Sequence, residues 1–180
     1  MSSTKPKITM AHVAIMVSDI EKSLHFYRDL LGFDVVSPEE HIDGAVAEMV
    51  DMPRVHMREY RLRPSGGIDG YERTGGLGFT FDIIQWLDPE SPQQRNPIHQ
   101  VPSAHFCFGV DDLPAMYERL KAEGVEFVSP PVRFAGEGDW HVLFFYDPDG
   151  NLLEFNEHGA GSQNPHDFEW NTVNMDELVE

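Results

Sequence analysis

Two histidines and two carboxylates stand at matching places in two copies of one sequence pattern. His12 is second in AHVAIMVSD, residues 11–19, and His105 is second in AHFCFGVDD, residues 104–112. Asp82 lies between Phe81 and Ile83, and Glu154 between Leu153 and Phe155, in stretches that read as the last strand of each copy. An acid set between apolar strand neighbours is costly to bury unless it is paired or bound to a cation. Two imidazoles and two carboxylates suit a first-row divalent metal, with water completing the shell. Alone, each residue reads as an ordinary strand histidine or a solvated strand acid. Their matched recurrence points instead to one metal site, assembled by a pseudo-twofold from two halves.

The elements that would position these residues are written twice. The first copy is AHVAIMVSDIEKSLHFYRDLLGFDVVSP and the second AHFCFGVDDLPAMYERLKAEGVEFVSP. His12 aligns with His105, Asp19 with Asp112, and Gly32 with Gly124 after a one-residue slip. Each opens with period-two alternation, so Val13, Ile15 and Val17 share one strand face, and His12, Ala14 and Met16 the other. The bulky faces are expected to pack on helices, leaving both histidines on the opposite side. Asp19 and Asp112 sit where helix N-caps belong. Apolar stripes follow at helical spacing: Ile20, Leu24, Tyr27 and Leu31, then Leu113, Met116, Tyr117 and Leu120. Gly32 and Gly124 close those helices, and new strands are expected at residues 33–36 and 125–128. WHVLFFY (140–146) is dense in β-formers, DPDGN (147–151) is a tight turn, and residues 152–156 form the closing strand. In the first copy, strands are expected at 55–62 and 79–86, separated by a glycine-rich loop over 65–78.

These elements define an α+β protein of two tandem βαβββ modules. The divisions are an N-terminal arm (1–9), the first module (10–87), a proline-bearing linker (88–101), the second module (102–158) and an acidic tail (159–180). Acidic residues number 31 against 13 basic, a net charge of −18. That balance argues against nucleic acid or an anionic membrane as partner, because phosphate binding needs a basic footprint. The single cysteine, Cys107, permits no intrachain disulfide. No apolar run approaches the length of a membrane span, and a soluble cytoplasmic protein is expected.

The sequence resembles the vicinal oxygen chelate superfamily, which includes glyoxalase I, methylmalonyl-CoA epimerase, extradiol dioxygenases and the bleomycin and fosfomycin resistance proteins. AHVAIMVSDIEKSLHFYRDLLGF and the run SAHFCFGVDDL…GVEFVSP…WHVLFFYDPDGNLLEF carry the resemblance, over residues 10–158. It implies that the tandem βαβββ modules form a curved mixed sheet around a metal cleft, with His12, His105 and Glu154 as ligands of one divalent ion (Fe, Ni, Co, Zn or Mn). The fourth ligand position falls on Asp82, a departure, because glutamate, glutamine or histidine is more usual there. It also implies a small substrate that chelates the metal through vicinal oxygens, and a homodimer as the expected assembly.

Three activities are compatible with that site. In a glyoxalase- or epimerase-type lyase or isomerase, a base moves a proton between adjacent carbons; the resemblance gives that role to Glu154, and Glu59 is an independent candidate. An extradiol-type Fe(II) dioxygenase would use His12, His105 and Glu154 as its triad, with His141 as acid–base histidine. A non-catalytic, drug-sequestering protein would bind the ligand without turning it over, and Trp86, Trp140, Phe144 and Tyr146 could stack on it. Arg58, Arg61 and Arg63 cluster on one strand, Arg61 and Arg63 sharing a face with Glu59. They could bind a carboxylate or thioester group, or balance the acidic surface. Cys107 reads as a small buried residue on the His105 face.

Overall fold

The computed structural model describes residues 11–65, 80–92, 95, 97–134 and 140–157. The glycine-rich loop and the acidic tail fall largely or wholly outside them. Eight strands build two four-stranded mixed sheets. The first contains β1 (His12–Met16), β2 (Phe33–Ile42), β3 (His56–Pro64) and β4 (Thr80–Asp88), in the order β1-β4-β3-β2. The second contains β5 (His105–Val110), β6 (Val132–Phe134), β7 (Trp140–Tyr146) and β8 (Leu152–Glu157), in the order β5-β8-β7-β6. The same order recurs, as a duplicated βαβββ module requires. No helix of the described residues is long and apolar enough to cross a membrane.

The chain divides into two compact units. One comprises residues 1–105 with Tyr146–Leu152, and the other Phe106–Phe145 with the chain from Leu153 onward.

In the first unit, β1 runs parallel to β4, while β3 is antiparallel to both β4 and β2. The Asp19 carboxylate accepts from the backbone N–H groups of Glu21 and Lys22, capping α1 (Ile20–Leu24). The helix then widens into a π-helical stretch, His25–Leu30, closed by Leu31 N–H donating to the Phe26 carbonyl at 2.9 Å. Twelve residues separate Asp19 from Gly32 and eleven separate Asp112 from Gly124. The π turn absorbs that extra residue, so the slip in the repeat leaves both helix ends intact. Ile15, Val17, Ile20, Leu24, Tyr27, Phe33, Leu62, Phe81 and Ile83 are buried, with Tyr27, Phe33 and Phe81 in ring contact. Turn 147–151 belongs to this unit and is tied down by side chains. Tyr27 Oη donates to Asp147 at 2.9 Å, and Ser18 donates to Asp149 through both its backbone N–H and its hydroxyl.

In the second unit, Asp112 caps α3 (Leu113–Ala122) by accepting from Ala115 N–H. The helix closes with Gly124 at φ +83°, Gly124 N–H donating to the Lys121 carbonyl and Val125 N–H to the Leu120 carbonyl. That pair of bonds is a Schellman close, which glycine alone enters without strain. Leu113, Leu120, Leu143, Phe145, Leu153 and Phe155 are buried, and the Phe145 and Phe155 rings stack at 4.4 Å.

Two expectations change. The strand expected at 125–128 is reduced to a single bridge, Phe127 to Phe145, and pairing resumes at β6. Ser129-Pro130-Pro131 intervenes, and proline lacks the N–H a ladder needs. A short helix, α2 (Gly44–Met49), was not foreseen; it packs Ala47 against Val55 and Met57, with Ile84 and Trp86 beside them.

Candidate functional site

Pairing fixes which side chains share a face. Across β1 and β4, His12 lies opposite Thr80, Ala14 opposite Asp82, and Met16 opposite Ile84. Across β4 and β3, Asp82 faces Arg61; across β3 and β2, Glu59 faces Glu39, Arg61 faces Ser37 and Met57 faces His41. One side of the first sheet thus carries His12, Asp82, Arg61, Glu59, Glu39 and His41. The other carries Phe81, Ile83 and Leu62, which face the helix.

Asp82 is 1% exposed, and its Oδ1 has no hydrogen-bond partner among the described residues. Its Oδ2 stands 4.0 Å from His12 Nδ1, beyond hydrogen-bond reach, and the His12 side chain is 58% exposed. Ala14, small and directly beside Asp82, leaves room between them. Burial pushes the Asp82 carboxyl above its ordinary value and the Glu59 charge adds to this, while a Thr80 hydrogen bond and the charges of His12 and Arg61 pull the other way. A buried carboxylate oxygen without a donor costs about 1–3 kcal/mol or more. Two ligand atoms bound at about 2.1 Å to one ion stand at most about 4.2 Å apart. The orphaned oxygen and the 4.0 Å separation therefore fit the divalent metal that this fold implies.

On β5, which belongs to the second unit from Phe106 onward, His105, Cys107 and Gly109 are exposed, alternating with half-buried Phe106, Phe108 and Val110. Glu154 is half-buried on β8, between fully covered Leu153 and Phe155, and β8 adjoins β5. Cys107 is exposed, where the sequence suggested burial. Its thiol hydrogen-bonds Glu154 and is pushed up to about 12, first by desolvation and then by the Glu154 charge. At neutral pH it is a protonated donor to that carboxylate, not a nucleophile. Alkylation by iodoacetamide at pH 7 should run about a hundredfold slower than for a free cysteine, the scarcity of thiolate outweighing its higher intrinsic nucleophilicity. Glu154→Gln should speed it; equal rates in the two proteins would refute the contact.

His141 is placed apart from these residues. It pairs with Glu157 through Nδ1, and Glu157 Oε1 accepts from Leu113 N–H at 3.0 Å. Glu157 and Glu154 are three residues apart on β8, so they face opposite ways. His141 thus shares the helix-packed side with Leu143 and Phe145, where Glu157 joins it to the start of α3.

The arginines separate as alternation predicts. Arg58 reaches Glu21 of α1 at 2.9 Å, on the helix side. Arg61 contacts Glu39 at 2.9 Å and Glu59 at 3.2 Å, so its charge is already met by two carboxylates. Glu59 lies on the Asp82 face and is buried. Glu39 and His41, to which the sequence gave no role, complete a group with Glu59 whose ligand atoms all lie within 4.8 Å of one another.

Two mixed sheets of one strand order, each with a histidine on its first strand and an acid on its last, define a duplicated βαβββ protein with metal-ligand chemistry on its sheet faces. The chain belongs to the Glyoxalase/Bleomycin resistance protein/Dioxygenase superfamily, whose family model matches residues 9–155. It is 28% identical over 146 residues to a lactoylglutathione lyase from Pseudomonas aeruginosa, covering 79% of this chain and 78% of that one. It is 28% identical over 141 residues to an ethylmalonyl-CoA/methylmalonyl-CoA epimerase from Cereibacter sphaeroides, covering 78% and 89%. Among solved structures, a glyoxalase family protein from Bacillus cereus superposes with a TM-score of 0.71 at 16% identity, covering 87% of this chain and 97% of that one. This last likeness is one of fold.

Proposed function

We propose that the protein is a divalent-metal-dependent lyase or isomerase of the glyoxalase or epimerase type. Its substrate is a small molecule with two vicinal oxygens, and its metal ligands are His12, Asp82, His105 and Glu154. The observation that carries the reading is the buried Asp82 carboxylate, whose Oδ1 lacks a donor and whose Oδ2 stands 4.0 Å from His12 Nδ1. The lyase and epimerase relatives support the reaction class. A bound metal would polarise the substrate's two oxygens and so acidify the hydrogen on one of the two adjacent carbons that bear them. Glu154 takes that proton at its carboxylate and returns it to the neighbouring carbon. Cys107 donates its thiol hydrogen to Glu154 and holds the carboxylate in one orientation. The dioxygenase alternative draws less support, since it asks for a histidine near the triad and His141 is engaged with Glu157 instead.

The test is metal content of protein purified without chelator, followed by turnover of α-oxoaldehyde–thiol adducts, acyl-CoA epimers and catechols. Turnover of either of the first two with bound metal supports the proposal. Oxygen uptake with catechols and iron would replace it with the dioxygenase, and failure to bind metal would leave a ligand-binding protein. A readout independent of turnover comes from Asp82→Asn. Removing a desolvated charge, one of whose oxygens lacks a donor, should raise the Tm of the metal-free protein by about 2–4 °C. The same variant should lose the further stabilisation that added metal gives the wild type. A metal-induced Tm shift unchanged in Asp82→Asn would remove Asp82 from the ligand set.

A further inference from the structure

We propose that Glu39, His41 and Glu59 form a second divalent-cation site, distinct from the one that includes His12 and Asp82. It lies across β2 and β3, whereas His12 and Asp82 lie on β1 and β4. It stands on its own geometry and would hold whatever reaction the protein performs.

Glu39 and Glu59 lie directly opposite each other across β2 and β3. Like charges in that position destabilise a strand pair unless something sits between them. Both carboxylates are shared between Arg61 and His41, and Glu39 Oε2 also accepts from Arg61 Nη2 at 3.3 Å. Each turns Oε1 to Arg61, at 2.9 Å for Glu39 and 3.2 Å for Glu59. Each turns Oε2 toward His41 Nε2, at 3.4 Å and 3.5 Å. These latter separations are too long for good N–H···O bonds, which run about 2.7–3.2 Å. They match the edge of a tetrahedral site, because two atoms each about 2.1 Å from one ion stand about 3.4 Å apart. A proton on His41 explains the spacing less well than a cation among the three atoms. The Glu59 side chain is only 9% exposed, with Oε2 on the His41 side, so the site is partly withdrawn from water.

Charge agrees. By register this face holds four carboxylates, from Asp34, Glu39, Glu59 and Asp82, against the two guanidinium groups of Arg61 and Arg63. One imidazole with two carboxylates favours zinc or a similar borderline ion. Arg61, bonded to both carboxylates, orients them as second-shell partners do. Three protein ligands leave a position for water or for an oxygen of a bound molecule.

The experiment uses untagged, full-length protein stripped with chelator, dialysed against excess Zn(II), desalted and analysed for metal, with Co(II) loading for visible spectra. Wild type should retain two equivalents. His41→Ala and Glu39→Gln should each retain one and lose the same component of the Co(II) spectrum, and the two variants guard against misfolding of either. His12→Ala should keep the component that His41→Ala loses. If folded His41→Ala and Glu39→Gln both bind as much metal as wild type, the site is overturned. It is equally overturned if wild type binds a single equivalent that disappears in His12→Ala. Loss of metal in His41→Ala with no change in His12→Ala would support this site while removing the metal basis of the proposed reaction.

Discussion

Glutamine at position 154 is expected to lower kcat/KM by about 10²–10⁴ while much of the bound metal remains. Glu154 has two proposed roles, and the substitution separates them. An amide oxygen can still donate to a metal, but an amide has no basic lone pair with which to accept a carbon-bound proton. Alanine at the same position removes both functions and should lose metal as well as turnover. The contrast between Gln and Ala in metal content, with equal loss of turnover, is the signature of a ligand that is also the base. Faster alkylation of Cys107 in Glu154→Gln shows separately that the residue sits where the structure puts it, since the Glu154 charge helps hold that thiol up at about 12. Unchanged kcat/KM in Glu154→Gln would move the proton transfer to another group. Glu59, buried on the Asp82 face, would then be the first residue to replace.

Much of the fold could be read from local pattern. Period-two alternation located β1 and β5, density of β-formers located β7, the DPDGN turn placed β8 after it, and the Asp19 and Asp112 caps with Gly32 and Gly124 bounded the helices. Alternation also identified which residues of β1 and β5 lie away from the helices. It failed where pairing, not sequence, decides the face. In β2, Phe33 and Val35 lie on the Leu62 side, so simple alternation would send Ser37, Glu39 and His41 to that side too. The register shifts between Val35 and Ser37, and one extra residue turns every later side chain to the opposite face. Glu39 and His41 therefore meet Glu59, an encounter no local pattern encodes. His141 presents the reverse case. Its residue type suggested acid–base chemistry, but its partner, Glu157, is identified only by the neighbouring strand. The position of Asp82 was legible from its apolar neighbours, whereas its orphaned oxygen is a property of the folded sheet.

The largest effect on stability is expected at Asp147, in a turn the sequence marked by proline and glycine alone. Asp147 is buried, and its Oδ1 accepts from Asp149 N–H at 3.0 Å and Asn151 N–H at 2.8 Å. Its Oδ2 accepts from Asn151 Nδ2 at 2.8 Å and from the Tyr27 hydroxyl at 2.9 Å. Burial raises its pKa more than these donors lower it. Tyr27 is fully buried, and burial followed by the Asp147 charge keeps its phenol protonated well past neutral pH. Asp147→Ala strands the Tyr27 hydroxyl and two turn N–H groups, and should cost about 3 kcal/mol. For a chain of this length that is a fall in Tm of about 6–12 °C. Tyr27→Phe removes one donor and leaves the carboxylate its other three, so about 1 kcal/mol is expected. The double variant should then be more stable than the sum of the two losses predicts, because phenylalanine leaves no hydroxyl to strand. Strict additivity in chemical denaturation would mean that the Tyr27–Asp147 bond does not hold the turn to the helix. The backbone of residues 147–151 would then have to keep its place by turn chemistry alone.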